Sequence, residues 1–172
     1  MCNRGYIQVY TGNGKGKTTA AFGLAIRALC AGKSVYIAQF VKSMKYNETK
    51  IESLFPLLKI EQLGRGCFID KTPAAIDVEL AHTALEKSKK ALTSGEYDVV
   101  ILDEVTIAIY FNLLSTEQVI EVTKSKLPNV EVVMTGRYAP KEIIEMADLV
   151  TEMKEIKHYY NQGVLSREGI DK

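Results

Sequence analysis

Several absences narrow the function of this 172-residue sequence before any motif is read. No charge of either sign is in excess: 22 Lys and Arg stand against 21 Asp and Glu, a formal net charge of +1. Nucleic-acid-binding modules ordinarily carry a basic surplus, so this balance argues against a nucleic-acid partner. Cysteine is scarce. Cys2, Cys30 and Cys67 are odd in number, widely spaced and without a C-x-x-C pair, which suits reduced thiols in a cytosol and not a disulfide framework. Histidine occurs only twice. The run E-L-A-H from Glu79 to His82 has the E-x-x-H spacing of di-iron helices, but such centres need two of these motifs and further Glu ligands, so a solvated helix face is expected. The amino-terminal run MCNRGYIQVYTGNGKGK holds no apolar stretch long enough for a secretion signal or a membrane span, and the expectation is a cytoplasmic protein with no membrane partner. What is present is ordinary for a globular chain, 47% hydrophobic and 25% charged. The length suits one compact domain with a continuous core and a cleft.

Along that length, apolar runs alternate with longer helix-like segments. Tyr6 to Tyr10, Ser34 to Phe40, Leu58 to Leu63, Asp98 to Leu102 and Val130 to Met134 read as strands. The runs VVIL and VEVVM are β-branched with little polar alternation, the pattern of strands buried on both faces of a parallel sheet. Thr18 to Leu29 reads as a helix stopped at Ala31-Gly32, where glycine supplies a left-handed cap. Ala74 to Thr93 repeats Val78, Ala81, Leu85 and Leu92 at helical spacing, and Gly95 closes it. Ser115 to Lys126 opens with a capping box, Ser115 answered by Gln118, and Pro140 starts a short helix to about Ala147. Strand–helix alternation this dense specifies an α/β fold with a mostly parallel sheet and helices on both faces. The expectation is a single domain over residues 1–172, with 154–172 as an ordered tail lying over it.

The strand YIQVY runs into T-G-N-G-K-G-K-T-T and then a helix, the context of a P-loop and hence of a P-loop NTPase-like fold. Gly12, Gly14 and Gly16 allow backbone N–H groups to turn inward around an anion. The helix start adds its own amides and positive dipole end. Gly12, Asn13, Gly14, Lys15, Gly16, Lys17, Thr18 and Thr19 are therefore the candidate triphosphate cradle. Lys17 supplies charge to the phosphates and the Thr18 hydroxyl a ligand for Mg²⁺. Thr11 stands where the usual G-x-x-x-x-G-K-[ST] spacing has its first glycine. The strand DVVIL ends in Asp103 and Glu104, two carboxylates at the carboxyl edge where parallel sheets bind ligands; hard oxygen donors there suit Mg²⁺ held between protein and phosphates. T-G-R, Thr135 to Arg137, follows the strand VEVVM, so that Arg137 can reach the same crevice and clamp phosphate or ribose. Q-F-V-K, Gln39 to Lys42, ends the second strand in the same way.

These blocks together resemble the ATP:cob(I)alamin (corrinoid) adenosyltransferases of the P-loop class. The similarity runs in order over nearly the full length, through VYTGNGKGKTTAAFGLAIRA, QFVK, DVVILDE, VVMTGRYAPKEIIEMADLVTEM, and K-H with a later G-V and a terminal G-I-D. The loop T-G-N-G-K-G-K-T and the block T-G-R-x-A-P…A-D-L-V-T-E-M are far more specific than a bare P-loop, and they account for the missing first glycine. The resemblance implies transfer of the 5′-deoxyadenosyl group of ATP to Co(I) of a corrinoid, with triphosphate released, in cobalamin biosynthesis. It implies ATP as co-substrate, Mg²⁺ or Mn²⁺, a corrinoid substrate, an electron-donating reductase and a homodimer. Carried across, Lys17, Glu104 and Arg137 are the catalytic residues and Thr18, Asp103 and Glu104 serve the metal.

The sequence departs from the family pattern in the loop that faces the corrin. Where members have G-x-G-Phe-x-Trp, this chain reads G-R-G-C-F-I from Gly64 to Ile69, and it contains no tryptophan. Cys67, Phe68 and Ile69 are the candidate corrinoid contacts, although Cys67 also reads as a small buried hydrophobe. Two other activities fit the P-loop: a small kinase, which would make ADP and a phosphorylated acceptor, and a nucleotide-dependent switch, which would make ADP and free phosphate slowly.

Overall fold

The computed structural model describes residues 4–41, 46–64 and 73–171. Six strands form one sheet: β1 (Ile7–Thr11), β2 (Val35–Gln39), β3 (Leu58–Gln62), β4 (Val99–Asp103), β5 (Glu131–Thr135) and β6 (Leu149–Glu152). Their order across the sheet is β3-β2-β4-β5-β1-β6, and every neighbouring pair is parallel. Parallel neighbours require crossovers, and apart from the connection from β2 to β3 these run through the helices α1 (Lys17–Cys30), α2 (Ala75–Thr93), α3 (Val105–Tyr110), α4 (Thr116–Lys124) and α5 (Lys141–Met146). Short 3-10 segments lie at Asn47–Ser53 and Tyr159–Gln162.

Helices cover both faces, so the central strands are buried throughout. All five residues of β2 and of β4 are buried, the consequence of the unalternated runs VYIAQ and VVILD. One side of the sheet packs Val9, Val100, Leu102, Val132 and Met134 against Ala81, Leu85 and Leu92 of α2 and Val119 of α4. The other packs Ile37, Ile101 and Val133 against Ala21, Phe22 and Ala25 of α1. The hydroxyl of Ser115 accepts the Gln118 N–H at 3.2 Å and the Gln118 side chain accepts the Ser115 N–H at 2.8 Å, so the capping box forms.

Each sequence-derived strand is present, with its ends displaced by up to one residue. The expected helix start at Pro140 is corrected: Pro140 is extended, with ψ 150°, and caps a helix that begins at Lys141. Two elements were not expected. α3 is a six-residue helix rich in β-branched residues, VTIAIY, too short to show a period, and β6 is a four-residue edge strand with every residue exposed, so it carries no buried stripe to read. Glu79 and His82 lie on the exposed side of α2, as a solvated face requires. Among the described residues no helix is long and apolar enough to cross a membrane.

Candidate active site

The carboxyl ends of β1, β4 and β5 open onto a common crevice, and the loop from Thr11 to Lys17 forms its floor. Gly12 and Gly16 hold φ of 95° and 118°, where a side chain is strained, and Gly16 caps α1 in that conformation. Gly14 is required for a different reason. A Cβ there would lie 2.7 Å from the Met153 carbonyl oxygen, and one at Gly12 would lie 2.5 Å from the same atom. The chain leaving β6 thus presses directly on the loop. The Gly14 N–H donates to the Met153 carbonyl at 2.6 Å, and the Met153 N–H donates to the Thr11 carbonyl at 2.8 Å. The glycine pattern therefore answers to backbone packing as well as to the anion-facing amides expected of it. Lys17 is buried, 5% exposed, and its ammonium donates to the carbonyls of Gly12 at 2.8 Å and Gly14 at 2.7 Å. Those bonds curl the side chain back over the loop, with its charge at the centre of the cradle.

The carboxylates differ sharply in setting. Asp103 is fully buried. Its Oδ1 accepts the hydroxyls of Thr18 at 2.9 Å and Thr135 at 2.7 Å, and its Oδ2 accepts the Gln39 amide at 3.0 Å. Gln39 in turn accepts the Gln62 amide at 2.9 Å. The strand order explains this chain of bonds. β5 lies between β4 and β1, so Thr135 at its end fills the gap between Asp103 and the phosphate loop. Buried donors and acceptors that are mutually satisfied fix one geometry, here that of the Thr18 hydroxyl. Glu104 is half-buried and holds φ 62°, ψ 23° at the start of α3, a left-handed conformation uncommon for a residue with a side chain. The Glu104 N–H donates to the Thr135 hydroxyl at 2.9 Å, which anchors this turn. Gly136, at φ 137°, lets the β5 end pass close: a Cβ there would collide with the Thr106 hydroxyl and lie 3.3 Å from a Glu104 carboxylate oxygen. Strain of this kind at a strand end points to a side chain aimed for function.

The crevice is a cavity of about 610 Å³, within the range of small-molecule sites. Lys15, Gly16, Lys17, Thr18, Thr19, Glu104 and Arg137 all line it. The structure thus gathers three separated sequence blocks into one cleft. Asp103 lies behind Thr18 in the buried network and is not part of the cavity wall. Among the described residues no group of three or more His, Cys, Asp or Glu could by itself hold a metal ion. The oxygen donors of Thr18, Asp103 and Glu104 still fit a hard cation that takes most of its ligands from phosphates and water. Cys67, Phe68 and Ile69 lie outside the described residues, as does Lys42.

Other lining residues carry no sequence motif of their own. Gly23 and Ile26 come from the exposed side of α1 and Phe22 from its buried side, Tyr46 to Glu48 from the segment after β2, and Gly169, Ile170 and Asp171 from the tail. Their contribution comes from chain path. The terminal G-I-D carries no signal beyond the family resemblance.

The ATP:corrinoid adenosyltransferase BtuR/CobO/CobP family model matches residues 3–171. A corrinoid adenosyltransferase of a Sinorhizobium species is 37% identical over 172 residues, spanning 98% of this chain and 80% of that protein. The corrinoid adenosyltransferase of Escherichia coli K12 is 36% identical over 169 residues, 98% of this chain and 86% of that protein. Among solved structures, the flagellar accessory protein FlaH of Methanocaldococcus jannaschii superposes with a TM-score of 0.59 at 14% identity, over 87% of this chain and 71% of that one, a likeness of fold alone.

Proposed function

We infer the reaction from a plain premise: this chain belongs to the ATP:corrinoid adenosyltransferase family. It transfers the 5′-deoxyadenosyl group of ATP to the cobalt of a reduced corrinoid. The observation that carries the site assignment is the single cleft lined by Lys17, Thr18, Glu104 and Arg137.

In the proposed step the cobalt(I) electron pair attacks C5′ of the ribose. The carbon–cobalt bond forms as the C5′–O bond breaks, and triphosphate leaves with the bonding pair. No proton moves. Negative charge grows on the leaving oxygen, so the protein's task is to place fixed positive charge and donors along the triphosphate. Lys17 supplies the charge, and its present bonds to the Gly12 and Gly14 carbonyls hold its ammonium where the phosphates would lie. The free amides and dipole end of α1 add to it. Arg137, lining the same cleft, assists at phosphate or ribose. When bound, Mg²⁺ or Mn²⁺ neutralises phosphate charge. Thr18 and Glu104 would hold it, with Asp103 fixing the Thr18 hydroxyl. The proposal includes a one-electron reductase to bring Co(II) to Co(I), a second copy of the chain in a homodimer, a cytoplasmic setting and a role in cobalamin biosynthesis. Cys67, Phe68 and Ile69 are proposed to face the corrin.

The test is anaerobic incubation of the protein with ATP, Mg²⁺ and chemically reduced corrinoid, followed by visible absorption. Appearance of a light-labile alkylcorrinoid spectrum, dependent on ATP, is the expected result. An unchanged Co(I) spectrum alongside ATP consumption would overturn the assignment.

A further inference from the structure

The tail is tied to the phosphate loop by one lysine. Lys15 donates to the Tyr159 hydroxyl at 2.8 Å and to the Ile170 carbonyl at 3.1 Å, and it pairs with the Asp171 carboxylate. Asp171 also accepts the Arg167 N–H at 3.0 Å and its Nε at 3.1 Å, and it contacts the Tyr159 hydroxyl. The Arg167 guanidinium lies over the Tyr159 ring, 4.7 Å from its centre. Within a tail whose residues 160–170 are all exposed, the Asp171 side chain is only 11% exposed. Bonds from Lys15, then from Tyr159, hold its carboxyl well below the usual carboxylate range. Burial opposes the charge on Lys15, but its bonds to Asp171 and Tyr159 prevail and raise it above the ordinary lysine value.

An isolated exposed Lys–Asp pair contributes little. This one closes a ring of charged and polar contacts, and its location is specific: Gly169, Ile170 and Asp171 line the same cavity as Lys17, Thr18, Glu104 and Arg137. Lys15 and Lys17, two residues apart in one loop, are thereby divided in role. Lys17 turns inward over the cradle, and Lys15 turns outward to the tail.

We propose that Asp171 is a positioning residue for the nucleotide: acting through Lys15, it clamps the 167–171 turn onto the phosphate loop as a wall of the ATP cleft. The proposal rests on the ATP reading above. It makes Lys15 the tail's anchor, not a phosphate ligand through its ammonium. Loss of either partner releases the wall, and ATP must then close it at the expense of its own binding. Two residues acting through one contact give losses that do not add. The clamp's carboxylate stays ionised across the neutral and mildly acidic range, so its contribution does not titrate there.

The test compares wild type with Asp171→Asn, Lys15→Met, the double variant and Asp171→Glu, all in the full chain. Each single neutral variant should raise Kd and KM for ATP by roughly tenfold, with the loss in KM larger than in kcat. The double variant should be no worse than the worse single, and Asp171→Glu should restore part of the loss. These ratios should hold between about pH 5.5 and pH 8, since the group titrates below that window. MgATP should protect wild type, but not Asp171→Asn, from tryptic cleavage at Arg167, with the remaining digestion pattern unchanged as the control for folding. Additive losses, equal protection of both proteins, or an unchanged or tighter Kd in Asp171→Asn would overturn the clamp. Failure of wild type itself to bind MgATP would instead overturn the nucleotide reading.

Discussion

Single residues in this site are held by different forces, and their substitutions should separate accordingly. The Lys17 ammonium has its position set by two loop carbonyls within 2.8 Å, and its proposed task is to meet charge that grows during the reaction. Lys17→Ala should therefore lower kcat/KM by roughly a hundredfold or more, the cost of one lost stabilising contact in a water-poor site. Steady-state kinetics with near-normal kcat and KM for ATP would rule out the phosphate-loop assignment. Glu104 differs, being half-buried and placed by a left-handed turn. Glu104→Gln keeps shape and turn while removing a carboxylate, so it should lower kcat by roughly tenfold or more and raise the Mg²⁺ requirement. A Mg²⁺ titration that overlays that of wild type would reduce Glu104 to a strand-end residue. Asp103, by contrast, contributes through Thr18 and the buried Gln39–Thr135 network.

At the scale of elements, legibility followed burial. β2 and β4 were readable because both faces of each are covered, which makes their sequences continuous apolar runs. α1 and α2 were readable because one stripe of each packs on the sheet. β6 was not, because it is an exposed edge strand whose place is fixed by hydrogen-bonding to β1, which leaves no trace in side-chain pattern. The same applies to Met153 and the G-I-D turn, which shape the phosphate loop through backbone contacts and one ionic ring. The placement of the loop from Lys15 to Thr19, Glu104 and Arg137 around one cleft was legible, since each follows a strand end. The loop from Gly64 to Pro73 is the element whose role rests on sequence alone. Its cluster Cys67, Phe68 and Ile69 is proposed to form the lower corrin face, because exposed apolar area is unfavourable at roughly 25 cal/mol per Å² and a bound ring would cover it. There it would exclude water from the lower axial position and ease reduction of Co(II). Phe68→Ala should then impair turnover from Co(II) corrinoid much more than from pre-reduced Co(I), with KM for ATP little changed. Equal losses in the two assays would indicate collapse of the loop, and no loss in either would move the corrin contact elsewhere.

For the molecule as a whole, one carboxyl edge of a parallel sheet collects the residues proposed to serve the reaction. β1 delivers the phosphate loop, β4 the carboxylates, and β5, lying between them, supplies Thr135 as a bridge and Arg137 as a rim. Such an edge could equally serve a kinase or a switch, because fold alone does not choose the bond that breaks. Family membership does: it selects C5′ over the γ-phosphorus. The direct measurement is the phosphorus product. ATP, Mg²⁺ and Co(I) corrinoid are mixed with the enzyme without oxygen, and the products are resolved by phosphorus NMR. The account predicts free triphosphate in a one-to-one ratio with adenosylated corrinoid. ADP, whether with free phosphate or with a phosphorylated acceptor, would contradict it.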